Sequence, residues 1–225
     1  MNFREELKSK TAAVEKIVES YLPEESGTQH EIMEAMNYSV TAGGKRLRPL
    51  LMQETYRMFG GEGREVEPFM AAMEMIHTYS LIHDDLPSMD NDDYRRGRLT
   101  NHKVFGDAMA LLAGDGLLTQ AFEVMLEQRG VDSKVLLEVV RLVAKCAGPT
   151  GMVGGQALDI TSEDQQLTLE QMKKLHEAKT GAMFVAAVRG GAMLGGADPE
   201  TLRIMTHFAN LFGLAFQITD DILDV

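Results

Sequence analysis

The sequence predicts an all-α fold, a single large bundle of antiparallel helices spanning residues 1–225. Three observations predict it. Apolar residues recur at intervals of three and four through most of the chain. No succession of short alternating segments suggests a sheet. Glycines at Gly43-Gly44, Gly60-Gly61, Gly130 and Gly148 fall where turns and helix caps belong. With 225 residues, 44% of them hydrophobic and 25% charged, the chain can bury a sizeable core.

Taken in order, Leu7, Val14, Ile17, Val18 and Tyr21 form the first helical stripe. The run Gly43-Gly44-Lys45-Arg46-Leu47-Arg48-Pro49 follows as a turn, with Pro49 suited to the first position of a helix. Met73, Ile76, Tyr79 or Ser80, and His83 mark a helix that should run from Met73 to Asp85 and bend or end at Pro87. Val135, Val139, Leu142 and Val143 form another stripe. The small-residue run from Gly181 to Gly196 lets helices approach closely, and the 16 methionines suit adaptable packing between helices. No repeat, low-complexity linker or domain boundary is visible.

Composition excludes several classes. A formal net charge of -12 lacks the positive field that nucleic acid requires. Cys146 is the single cysteine, so no intrachain disulfide forms, and a reducing, cytoplasmic setting is expected. The opening MNFREELKSK is too charged for a secretory signal. The longest uncharged stretch, Ile204 to Thr219, is too short and polar for a membrane span.

Two aspartate clusters carry the chemistry. Asp84-Asp85-Leu86-Pro87-Ser88-Met89-Asp90 runs shortly ahead of Arg95-Arg96-Gly97, and Asp220-Asp221-Ile222-Leu223-Asp224 closes the chain. Carboxylates packed this tightly repel one another unless a cation sits among them. Mg²⁺ takes hard oxygen ligands and usually shares them with substrate phosphates. His77 and Asp84, seven residues apart, share one helix face, and a bend at Pro87 would bring Asp90 back beside Asp84. Gln217, Asp220 or Asp221, and Asp224 form one polar stripe on an otherwise apolar helix, costly without a cation. Lys45, Arg46 and Arg48 before a helix start suggest a second diphosphate pocket. Each feature alone also fits a blander reading: an acidic helix end in solvent, a fraying last turn, a basic surface loop. A calcium loop beginning at Asp90, Asp92 and Asp93 fails at its glycine and glutamate positions. Gln156 and Asp159 in GGQALD, and Lys179-Thr180-Gly181, have no target readable from sequence.

The set GGKRLRP, SLIHDDLPSMDNDDYRRG, GGQALD, Lys179-Thr180-Gly181 and FQITDDILD, in this order, strongly resembles the trans-isoprenyl diphosphate synthases, bacterial farnesyl diphosphate synthases being the nearest subgroup. The resemblance covers essentially the whole chain. It implies the isoprenoid synthase fold, helices around a central cavity with the two aspartate banks facing across it. It also implies a homodimer, and head-to-tail condensation of dimethylallyl or geranyl diphosphate with isopentenyl diphosphate to give farnesyl diphosphate. Three Mg²⁺ ions, or Mn²⁺, would hold the allylic diphosphate. Asp84, Asp90 and Asp220 would be ligands, with Asp85, Asp221 and Asp224 in support. Arg95, Lys179 and Gln217 would contact that diphosphate or its metals, and Thr180 would stand where the carbocation forms. Lys45, Arg48, His77 and Arg96 would hold isopentenyl diphosphate without metal. Tyr79, with Ser80 beside it, would set product length, together with the Pro87-Ser88 insertion. That role comes from the resemblance alone, since five residues of helix put Tyr79 about 140° from Asp84, and an ordinary core tyrosine remains the alternative.

The family continues past the second motif with a further lysine and several closing helices that this sequence does not include. The domain is therefore expected to be incomplete at its C-terminus, with apolar surface exposed on the helix bearing Asp220. Competing readings are a geranyl or geranylgeranyl diphosphate synthase, a terpene cyclase, which needs no pocket like that of Lys45, Arg48 and His77, and a non-catalytic partner subunit.

Overall fold

The structure, a computed structural model, describes residues 2–163 and 165–223, the side chain of Asp221 excepted. Eleven α-helices and one small hairpin are formed among these residues. They are α1 (Phe3–Glu19), α2 (His30–Val40), α3 (Leu47–Met58), α4 (Glu67–Asp84), β1 (Tyr94–Arg95), β2 (Arg98–Leu99), α5 (Asn101–Phe105), α6 (Asp107–Leu126), α7 (Ser133–Ala147), α8 (Met152–Ser162), α9 (Leu169–His176), α10 (Ala182–Leu194) and α11 (Pro199–Leu223). The chain divides into two compact units, residues 1–50 with 67–128, and residues 51–66 with 129–225.

In the first unit, α1 starts at a capping box. The Glu5 backbone N–H donates to Asn2 Oδ1, and the Asn2 N–H donates to Glu5 Oε2, each at 3.0 Å. The predicted stripe buries Val14 and Val18. α4 is the central helix, buried on all sides from Pro68 to Ile76, and it packs against α1, α2 and α6. α6 is the one described helix long and apolar enough to cross a membrane by length and composition. Within the unit one face of it packs into the core, with Ala110, Ala113, Leu117 and Ala121 buried, while Leu111, Leu112 and Leu126 are exposed. Its Gly114 allows a close crossing: a Cβ there would stand 2.1 Å from His83 Nε2.

Arg95 and Arg96, read from sequence as loop residues, belong to a two-residue hairpin. Arg95 pairs with Arg98, and Arg96 and Gly97 both take positive φ (54° and 78°), as a type I′ turn requires. The strands are too short to show any alternation. Pro49 is the third residue of α3, two positions later than expected but still inside the first turn, where its missing N–H costs nothing.

In the second unit, α10 packs against α7 and α11. The small-residue run acts as expected: Cβ atoms at Gly191 and Gly195 would fall 2.3 Å from the Met52 carbonyl oxygen and 2.7 Å from that of Tyr56. Phe184 stacks edge-on against Phe212, ring centroids 5.1 Å apart. α11 leaves Ile204, Phe208, Leu211, Ile218 and Ile222 exposed along its length.

Candidate functional site

The first aspartate cluster is a turn built on the end of α4. The helix stops at Asp84, and the Asp90 N–H donates to the Asp84 carbonyl at 2.8 Å, while Met89 and Asn91 close on Leu86 at 2.9 and 3.1 Å. This is the bend that Pro87 predicts, and it returns Asp90 to the side of Asp84. Asp90 is exposed and Asp84 half-buried. Asp85 faces inward, 3% exposed, and takes the guanidinium of Arg95: Nε donates to Oδ1 and Oδ2 at 2.7 and 2.9 Å, and Nη2 lies 2.5 Å from Oδ1. Burial pushes the Asp85 carboxyl above its ordinary range, against the pull of Arg95. The Nε–Nη2 edge of Arg95, expected to meet a diphosphate, is thereby committed to Asp85.

Among the described residues no three acidic, histidine or cysteine side chains converge as a ready-made metal cage. Mg²⁺ seldom needs one, since one or two carboxylates plus phosphate oxygens usually complete its shell. The donor chemistry of Asp84 and Asp90, hard oxygens brought to one turn, fits that ion.

Beside this turn lies a basic cluster. Burial, and after it the charges of Arg48, Arg96, Arg46 and Arg95, hold the His77 pKa well below the usual imidazole range, so His77 is neutral at pH 7. Arg96 donates to the Gly43 carbonyl, and a Cβ on Gly44 would stand 2.7 Å from its guanidinium carbon. The cluster thus joins the glycine turn to the hairpin. Lys45 is exposed and Arg48 half-buried. Arg46, grouped with them by sequence, turns the other way. It is 2% exposed and bonded to Glu74. Glu74 was not singled out from sequence, because it sits inside an apolar run. Tyr79 is 6% exposed and stacks edge-on against His83 with centroids 5.7 Å apart. Ser80 donates to the His77 carbonyl at 2.8 Å.

The second unit assembles the remaining motifs. A π-turn at Glu177–Gly181 interrupts the path from α9 to α10 and carries Lys179 and Thr180; such turns concentrate at functional sites. Lys179 Nζ lies 2.5 Å from Asp159 Oδ2, which supplies the target missing from GGQALD. Thr180 donates to Gln217 Oε1 at 2.8 Å, joining the triplet to the polar stripe of α11. Asp220 is half-buried on that helix. The Asp221 side chain and Asp224 lie outside the described residues.

Comparison with known proteins gives consistent matches. The polyprenyl synthetase family model matches residues 29–225. A farnesyl diphosphate synthase of Geobacillus stearothermophilus is 51% identical over 221 residues, 97% of this chain and 74% of that protein. A chloroplastic geranylgeranyl pyrophosphate synthase of Catharanthus roseus is 49% identical over 197 residues, 87% of this chain and 55% of that protein. The crystal structure of an FPP/GFPP synthase from Zymomonas mobilis superposes with a TM-score of 0.92 at 39% identity, covering 98% of this chain and 81% of that one.

Proposed function

This chain belongs to the polyprenyl synthetase family, and on that footing we propose that it condenses an allylic diphosphate with isopentenyl diphosphate, head to tail, to give farnesyl diphosphate. The observation that carries the proposal is the pairing, in one unit, of a carboxylate turn at Asp84 and Asp90 with a cluster containing Arg48, Arg96 and neutral His77. One suits a diphosphate that arrives with metal, the other a diphosphate that arrives without.

In this reading Asp84, Asp90 and Asp220 are ligands for Mg²⁺, with Asp85, Asp221 and Asp224 in support. The ion, when bound, neutralises the charge that builds on the leaving diphosphate. Asp85 acts by fixing the position of Arg95. Lys179, steadied by Asp159, presents its ammonium to the same diphosphate. Because the Thr180 hydroxyl spends its proton on Gln217, its oxygen offers only lone pairs to an allylic cation. Gln217 holds that orientation. Lys45, Arg48, His77 and Arg96 grip isopentenyl diphosphate, and neutral His77 donates one N–H without adding charge. We further place the protein in the cytoplasm as a homodimer, in keeping with its one buried cysteine, whose thiol burial pushes up to about 11.

The test is incubation of the purified protein with Mg²⁺, dimethylallyl diphosphate and isopentenyl diphosphate, followed by product sizing. Fifteen-carbon product supports the proposal. Ten- or twenty-carbon product assigns a geranyl or geranylgeranyl diphosphate synthase, and binding of isopentenyl diphosphate without turnover assigns a partner subunit. Tyr79→Ala removes the ring stacked on His83 and should shift the products toward longer chains; an unaltered distribution would remove Tyr79, and with it Ser80, as the floor of the product site.

A further inference from the structure

The loop that carries Lys45 and leads into α3 with Arg48 is anchored by the cation between them. Arg46 is a non-glycine residue at φ 47°, in the left-handed region that ordinary side chains avoid. Its guanidinium is wholly enclosed. Nη1 donates to Glu74 Oε1 at 2.5 Å, and Nη2 donates to the Val40 carbonyl at 2.5 Å and to Glu15 Oε1 at 3.2 Å. The side chains of Arg46 and Glu74 are 0% and 2% exposed, while that of Glu15, on α1, is 34% exposed. Burying a charge pair is a poor route to stability, since desolvation offsets most of the attraction; a pair retained under such a cost suggests a role in specifying geometry.

The geometry here is specific. The left-handed turn at Arg46 sends its side chain into the unit, and Lys45, its neighbour, stands exposed. Glu74 lies one helical turn before His77 on α4, so one helix carries both the anchor of the loop and a member of the pocket the loop completes. α1 precedes the span matched by the family model, residues 29–225, yet its Glu15 reaches the same anchor.

We propose that Glu74 and Glu15 are positioning residues: through Arg46 they hold the loop of residues 43–46 and the start of α3 so that Lys45 and Arg48 face the metal-free diphosphate of isopentenyl diphosphate. The inference rests on the function proposed above. It predicts a substrate-selective defect, because the allylic diphosphate is held by other groups.

The experiment is Glu74→Gln, which keeps the shape and removes the charge, assayed for both substrates separately. The KM for isopentenyl diphosphate should rise about tenfold, with the KM for the allylic diphosphate changed by less than about twofold. Glu15→Gln should show the same selectivity with a smaller rise, as its contact is longer and more exposed. Arg46→Lys, which keeps the charge but loses the fork that spans three acceptors, gives a second reading if Glu74→Gln fails to fold. An equal rise for both substrates, or none, overturns the inference, and so does failure of both variants to fold, which would make the pair a stability element only. Wild-type protein in the same assay separates the two levels: no condensation removes the proposed function, whereas active wild type without the KM split removes this inference alone.

Discussion

Asp84→Ala should lower the condensation rate by roughly 10³-fold or more, about 4 kcal/mol at 1.36 kcal/mol per decade, and leave the fold intact. The two halves of that expectation come from different atoms. The turn that returns Asp90 to Asp84 is closed by the Asp84 backbone carbonyl, which alanine retains. The side chain is only half-buried at the end of α4, so its removal opens little cavity. What is lost is a hard oxygen donor for the metal-borne diphosphate. Raising the Mg²⁺ concentration should recover part of the rate, and thermal melting should match wild type. Asp85→Ala makes the informative contrast. That carboxylate is 3% exposed and makes the close contacts with Arg95, so its loss leaves that guanidinium the more distant Asp92, at 3.7 Å, and should lower the melting temperature as well as the rate. Near-normal turnover in Asp84→Ala would remove Asp84 from the ligand set.

The contrast between Asp84 and Asp85 also marks what sequence can convey. Spacing along a helix and the bend at Pro87 are local properties, so the helical class, the stripes of α1 and α7, and the return of Asp90 are all readable in the sequence, whereas α4 is buried all round and shows no one-sided stripe. The direction of Arg46 was not. Three cations in four residues look equivalent, and only a positive φ at the middle one, answered by a carboxylate 28 residues later, separates the anchor from its neighbours. Glu74 itself is hidden by its setting, a single acid in the apolar run of the most buried helix. The hairpin escaped for a simpler reason: two residues per strand give no periodicity to detect. Tyr79 shows the reverse case, since the helical wheel argues against its role and only the likeness to a family suggests it.

Gly155→Ala should strongly destabilise the second unit, and the reason explains the GGQALD motif. A Cβ at Gly155 would stand 2.2 Å from the backbone nitrogen of Lys179 and 2.5 Å from its Cα, atoms that cannot swing aside. The glycine lets α8 lie directly on the π-turn, and one helical turn further on α8 presents Asp159 to Lys179 Nζ at 2.5 Å. Alanine must push the two backbones apart, costing about 1–3 kcal/mol or more, and must pull Asp159 from the lysine it steadies. Gly181→Ala supplies the control. Gly181 also sits in helical backbone, but there the nearest atom to a new Cβ is the His176 carbonyl oxygen at 3.6 Å, an ordinary contact. Both substitutions gain the same intrinsic helix preference of alanine over glycine, roughly 1 kcal/mol. The difference between their melting temperatures therefore isolates the close approach of α8 to Lys179. Gly181→Ala should melt at or above wild type and Gly155→Ala well below it, with weakened binding of the allylic diphosphate. Equal melting temperatures would mean that α8 yields without resistance, and that the position of Asp159 beside Lys179 does not depend on the glycine.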